Sequence, residues 1–168
     1  RSLEDPGTPY LHKDQFAKGR GTFFPIAYRE PAEIPDDQFP FVLTTGRMGF
    51  HFHTGTMTRI SPSLHKESET AYMEINPGDA EGLGIDNGEM VRVISRRGAI
   101  DIKATLTDGI DRGVVFIPFH FVESAANRLT NTALDPIAKI PEFKVCAVRI
   151  EKLATNSKEE NEGKREKD

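Results

Sequence analysis

Between Thr44 and Arg59 the chain reads TTGRMGFHFHTGTMTR, with five threonines, two arginines, two histidines and no carboxylate. The acid-free window is wider still, from Gln38 to Lys66, bracketed by Asp37 and Glu67. The whole protein is acidic, with 26 Asp and Glu against 22 Lys and Arg and a net charge of -4. A run of donors and cations inside such a chain is arranged for an anion. In LTTGR an apolar run meets a glycine and then a cation. Glycine lets backbone approach a ligand closely, and neighbouring N–H groups can cradle an oxyanion. Thr44 and Thr45 add hydroxyls, and Arg47 can fork onto a phosphate. Taken alone, TTGR also reads as a strand ending in a turn.

His51 and His53 alternate about Phe52, so an extended backbone would turn both to one face. His-X-His can be a metal pair. A third ligand would have to come from His65, His120 or a distant carboxylate, and Arg47 and Arg59 would repel a cation. Anion or nucleotide binding is the favoured reading, with loop-capping histidines as the alternative. A third group lies in PFHFVESAANRLTNTALDPIAKIPEFK. His120 sits there between Phe119 and Phe121, Asn127, Thr130 and Asn131 suit the edge of a nitrogenous ring, and Lys139 and Lys144 suit a phosphate or ring carbonyl. Singly, the aromatics also read as core, the asparagines as caps and the lysines as solvated surface.

Catalytic sets are missing. The sequence has no Gly-X-Ser-X-Gly, no P-loop and no Gly-X-Gly-X-X-Gly. Its single cysteine, Cys146, lies in an apolar run where a thiol is inert. Asp36-Asp37 and Glu159-Glu160 stand in polar contexts with nothing to shift a pKa. The chain reads as a cofactor binder with no catalytic residue and no metal ligand of its own.

The elements that must position these groups are short and β-rich: FPFVLTT, AYMEIN, EMVRVISR, AIDIKATLT, GVVFIPF and CAVRIEK, each bounded by Gly, Pro, Asn or Asp. Arg97-Gly98 between two alternating runs predicts a hairpin. In NPGDAEGLGIDNGE, Asp79 is expected to cap a short helix through Leu83 that Gly84 ends, and Asn87-Gly88 to make a second turn. ESAANRLT predicts another short helix. Six strands with little helix imply a mainly β fold, a closed or nearly closed barrel. Residues 1–37 read as an extended arm or linker with scattered aromatics, simple disorder being the alternative. Residues 38–152 are the barrel. Residues 153–168 are expected to be a disordered charged tail.

At 168 residues the chain has the length of one domain with a proper core. An acidic balance speaks against a general nucleic-acid binder. One cysteine rules out an internal disulfide, and no apolar run is long enough to span a bilayer. The first residue is Arg1 without an initiator Met, which suggests a cut piece or processed product. The cytoplasm is the expected compartment.

Three blocks in order, LTTGRMGFHFHTGTMTR, INPGDAEGLGIDNGEMVRVISRRG and ANRLTNTALDPIAKIPEFKVCAV, resemble the C-terminal molybdopterin-dinucleotide-binding domain of the molybdenum and tungsten oxidoreductases. The likeness covers about Gly21 to Lys152. Within that superfamily it is most similar to the formate dehydrogenase α-chain, with periplasmic-type nitrate reductase next. The resemblance implies a six-stranded double-psi β-barrel with short peripheral helices. It implies a bis(molybdopterin guanine dinucleotide) cofactor on molybdenum or tungsten, touched by Thr45, Gly46, Arg47, Met48, His51, His53 and Thr54. Phe119, Asn127 and Lys144 would be further contacts, Phe119 nearer the substrate. The family's metal-ligating Cys or selenocysteine, catalytic His and Arg, and iron–sulfur cysteines lie upstream and have no counterpart here. The implied partners are therefore upstream catalytic and iron–sulfur domains of the same enzyme, with electron-transfer subunits. A free-standing binding or interaction barrel is the alternative from another class.

Overall fold

In the computed structural model, which describes residues 9–153 together with Glu4 and Gly7, the chain divides into two compact units, residues 1–30 and 31–168. The first unit carries an isolated antiparallel bridge between Phe16 and Gly19 and no helix or strand among its described residues. The division falls after Glu30, seven residues before the arm's expected end. Residues 31–37 belong with the barrel unit because Glu33 and Asp36 reach its hairpin arginines, as detailed below. Apart from Leu153, the expected tail lies outside the described residues.

The second unit is a barrel of six strands: β1 Phe41–Gly46, β2 Tyr72–Ile75, β3 Met90–Ile94, β4 Ala99–Leu106, β5 Val114–Pro118 and β6 Cys146–Lys152. All six coincide with the β-rich runs of the sequence. Their order around the closed barrel is β1-β5-β2-β4-β3-β6. The β1/β5 and β2/β4 pairs are parallel and the other four antiparallel. This is the double-psi β-barrel. Alternate residues point inward, so Leu43, Met73, Ile75, Val91, Val93, Ile102, Val115, Ile117 and Val148 are buried in one core. Cys146 joins that core, and burial pushes its thiol up to about 11.

Two helices pack outside. In α2, Pro77–Leu83, the cap is Asn76, whose side chain accepts from Gly78 N at 3.0 Å, with Pro77 at the first helical position. Asp79 is therefore not the cap. One turn inside the helix, its carboxylate accepts from Gly113 N at 2.6 Å, tying α2 to the start of β5. Gly84 ends the helix as expected, at φ 66. The Arg97-Gly98 turn closes the β3–β4 hairpin, with Ser95 N donating to Gly98 O at 2.9 Å. A Cβ on Gly98 would stand 3.2 Å from Arg128 O, so close approach is what requires glycine there. The stretch expected to form a helix at ESAANRLT makes only a 3-10 turn, Ala126–Arg128. An α-helix that the sequence did not announce, α1 Pro62–Glu67, buries no residue and so leaves no apolar stripe to read.

Candidate functional site

Parallel pairing of β1 with β5 builds the site. Gly46 stands beside Pro118, so both strands leave the barrel at one end, and Phe119 N donates to Gly46 O at 3.3 Å. The segments that follow, 47–60 and 119–131, are far apart in sequence and meet there. Gly46 is needed for space: a Cβ would lie 2.5 Å from the Phe116 ring. Next along the chain, the exposed Arg47 guanidinium stands over the Phe119 ring at 5.5 Å from its centroid. No carboxylate is within ion-pair reach of Arg47 among the described residues.

Two buried histidines shape the segment. His120 accepts from Met48 N through Nε2 at 2.8 Å and bonds through Nδ1 to His53 O. A carbonyl only accepts and an amide N–H only donates, so the ring is neutral with its proton on Nδ1. Burial first, then the nearby His51, Arg47 and His53, lower its pKa against the opposing pull of the His53 carbonyl. His51 bonds through Nε2 to Ser68 O at 2.7 Å and through Nδ1 to Thr58 Oγ1 at 3.1 Å. Its proton is thus on Nε2. The backbone between the two is not extended: His53 has φ 45 and is exposed, whereas His51 is buried. The expectation that they share a face is overturned, because the segment coils into turns.

A cleft of about 660 Å³ opens between the two segments, lined in part by Thr54, Arg59, Phe119, His120 and Asn127. Arg59 forks onto Glu123 at 2.7 and 3.1 Å and lies over the Phe121 ring. Its charge is therefore answered within the fold, by a carboxylate 64 residues away. Thr54 and Asn127 carry side-chain polar groups without a partner among the described residues.

The ten expected cofactor contacts thus separate. Arg47, Met48, Thr54, Phe119 and Asn127 gather at this end with His53. Gly46 is buried at the end of β1, just before Arg47. Thr45 is buried, and its hydroxyl donates to Phe143 O at 2.8 Å. The Lys144 ammonium donates to Thr45 O, fastening the 143–144 segment to the end of β1. His51 has both ring nitrogens bonded within the fold. Of the other polar candidates, Asn131 is spent on Glu142, Val145 and Ala133. Thr130 donates to Asn127 O, and the Lys139 ammonium to Pro136 O. These groups hold the loop, and none of them lines the cleft beside Phe119. The roles of Glu123 and of His120 as a clasp escaped the sequence reading. Only the placement of His120 between two aromatics after a strand hinted at the latter. No cluster of three or more His, Cys, Asp or Glu able to hold a metal occurs among the described residues.

Unpaired donors thus stand beside a cleft walled by aromatics, carried on a double-psi barrel. The model of the molydopterin dinucleotide binding domain matches residues 41–147, and the chain belongs to that family. The chain is 59% identical over 149 residues to the F420-dependent formate dehydrogenase subunit alpha of Methanocaldococcus jannaschii, covering 88% of this chain and 22% of that one. It is 50% identical over 155 residues to the F420-dependent formate dehydrogenase 1 subunit alpha of Methanococcus maripaludis, covering 91% and 23%. It is also 43% identical over 138 residues to a nitrate reductase of Symbiobacterium thermophilum, covering 80% and 18%. The chain thus spans about a fifth of the length of these curated relatives. Among solved structures, acetylene hydratase from Pelobacter acetylenicus shares the fold, with a TM-score of 0.67 at 16% identity over 76% of this chain and 21% of that one.

Proposed function

We propose that this domain holds part of a bis(molybdopterin guanine dinucleotide) in a formate dehydrogenase that oxidises formate to CO2, or runs the reverse reaction, with F420 as the electron partner. The observation that carries the reading is Arg47: a cation without a carboxylate partner, at a strand end, inside an acid-free segment and above Phe119. Its guanidinium would take a phosphate of the dinucleotide bidentately. Thr54 and Asn127 would bond the sugar or the guanine edge, and Phe119 would wall the side nearer the substrate. When bound, the group supplies two-electron redox chemistry at molybdenum or tungsten. This chain's own residues bind and orient it, exclude water with Phe119 and Phe121, and transfer no proton. The metal's protein ligand, the catalytic His and Arg, and the iron–sulfur clusters belong to upstream domains, with electron-transfer subunits beyond them.

A nitrate reductase is the second reading, supported by the 43% identical relative. The 59% identity to a formate dehydrogenase subunit favours the first. Purification of the complete enzyme separates them. Formate-dependent F420 reduction is expected, together with guanine nucleotide and molybdenum or tungsten in the acid-released fraction. Nitrate-dependent dye oxidation without formate activity would select the second reading. An enzyme containing neither pterin nor guanine nucleotide would remove both.

A further inference from the structure

We propose that His120 is a positioning residue for the dinucleotide segment, its neutral imidazole clasping both ends of the Met48–His53 loop. The inference rests on reading Thr45–Thr54 as the cradle, and goes further by naming what sets the cradle's shape. One ring nitrogen takes the Met48 N–H at 2.8 Å and the other gives its proton to the His53 carbonyl. The two contacts fix the tautomer, and together they pin the loop to the end of β5. His53 sits at φ 45, a conformation that residues with a side chain rarely adopt, and the clasp is attached to its carbonyl. The His120 backbone is engaged too: a Cβ on Gly55 would stand 3.2 Å from His120 O, so the next turn of the loop also presses on this residue.

With both nitrogens spent on backbone, His120 does no acid–base chemistry in the cleft it lines. A second proton would set an N–H of the ring against the Met48 N–H. Of the groups facing it, only the His53 carbonyl favours an imidazolium, and burial outweighs it. His51 lies 5.7 Å away ring to ring, and Arg47 and His53 add positive charge or the capacity for it. Phe119 and Phe121 flank it without charge. The folded pKa is depressed below 6.5, so the clasp is whole above about that pH and is lost as acid drives the ring toward protonation. The consequence is a dinucleotide cradle that loosens once acid protonates this ring.

The test uses the 168-residue chain, guanosine diphosphate as the probe, and His120→Gln, which keeps an acceptor near Nε2 but cannot titrate. Ring 15N shifts should show the neutral Nδ1–H tautomer at pH 7. Calorimetry from pH 7.5 to 5.5 should show wild-type affinity falling by about tenfold more than that of His120→Gln, the change one pKa unit of coupling produces. The nucleotide's own phosphate titration is common to both proteins, so only the difference counts. An imidazolium or an Nε2–H tautomer at pH 7 overturns the proposal. So do identical affinities and pH profiles, which would leave the cradle reading intact. If neither protein binds the nucleotide, the cradle reading fails, and amide exchange at Gly49 and Phe50 then judges the clasp: equal rates in both proteins overturn it. Should His120→Gln fail to fold, His120→Asn, which keeps the donor to His53 O, takes its place under the same criteria.

Discussion

At the β3–β4 turn, Arg96 and Arg97 both meet Glu33; at the end of β1, Arg47 meets no carboxylate among the described residues. Arg97 forks onto Glu33 and donates again to Leu129 O at 2.7 Å. Arg96 donates to Glu33 at 2.9 Å, pairs with Asp36 and lies over the Phe39 ring. Glu33 also accepts from Ala147 N at 2.9 Å, so one carboxylate joins the strap, the hairpin and β6. That joint is closed. Every charge in it is answered from within, and its arginines have little left for a ligand. The Met48–His53 loop beyond β1 is held instead by neutral contacts, two imidazoles and a threonine, which leave Arg47 free of a carboxylate. The difference separates an arginine that maintains a fold from one that serves a site.

Breaking the closed joint should have the largest effect on stability. Glu33→Ala removes an acceptor from Arg96, Arg97 and Ala147 N, leaving the part-buried Arg97 guanidinium without a carboxylate and Arg96 with Asp36 alone. We expect a loss of about 2–3 kcal/mol and a melting point lower by roughly 5–10 °C. Guanosine diphosphate affinity should not change. A melting point within a degree of wild type would show that the strap is dispensable.

Next in size is Gly46→Ala at the open end. Its φ is not the reason, because the conflict is spatial: the new Cβ meets the Phe116 ring at 2.5 Å. The ring must give way, at a cost of about 1–3 kcal/mol. Here stability and nucleotide affinity should fall together, since the glycine directly precedes Arg47 and Phe119 N donates to its carbonyl. Loss of stability with unchanged affinity would detach Gly46 from the cradle.

Acid should take the two joints apart in order. Glu33 is held below the usual carboxylate range: burial would raise its pKa, but Arg97, Ala147 N and Arg96 together outweigh that. A depressed carboxyl stabilises above its unfolded value and loses that contribution as pH falls through the folded one, so the strap should hold until well below about 4.5. His120 is also depressed, from 6.5, chiefly by burial, so its clasp too is lost only as pH falls through the lowered folded value, and it starts from the higher ordinary value of the two groups. Amide exchange followed down the pH scale should show Gly49 to Thr54 opening before Glu33 to Phe39. The reverse order would contradict both assignments.

What could be read beforehand follows from which interactions are local. The six strands show because alternation such as Val91, Val93 and Ile100, Ile102 is written in neighbouring residues. The barrel end that carries the site showed as composition, a window without carboxylates. Which of its members stay free did not show. Arg59 and Arg47 look alike in the sequence, yet Glu123 arrives beside Arg59 across 64 residues and, among the described residues, no carboxylate arrives beside Arg47. The histidine pair misled for a related reason. Period-two spacing says which face a residue takes only where the backbone is extended, and His53 is not. Asn76 and Asp79 are both good caps by residue type, and what favours Asn76 is the proline after it, which suits the first helical position.

Arg47→Ala should have the smallest effect on folding and the most specific one on binding. Among the described residues its guanidinium has no ion-pair partner and lies over the Phe119 ring at 5.5 Å, and an exposed cation–π pair contributes about 0.5–1 kcal/mol. The melting point should therefore stay within a few degrees of wild type. If the guanidinium holds a phosphate, losing that charge-assisted bond costs about 1.5–3 kcal/mol of affinity, roughly ten- to a hundredfold. Arg59→Ala is the matched comparison. It sits in the same loop and carries the same charge, but its fork is already filled by Glu123, itself 61% exposed. An exposed ion pair is worth about 0–1 kcal/mol. Both variants should then fold nearly as well as wild type, while only Arg47→Ala loses guanosine diphosphate binding. Equal losses from the two would mean that the loop attracts nucleotide by its net charge alone. A loss confined to Arg59→Ala would mean that Glu123 yields its partner to the ligand, which would move the phosphate site into the cleft and away from Arg47.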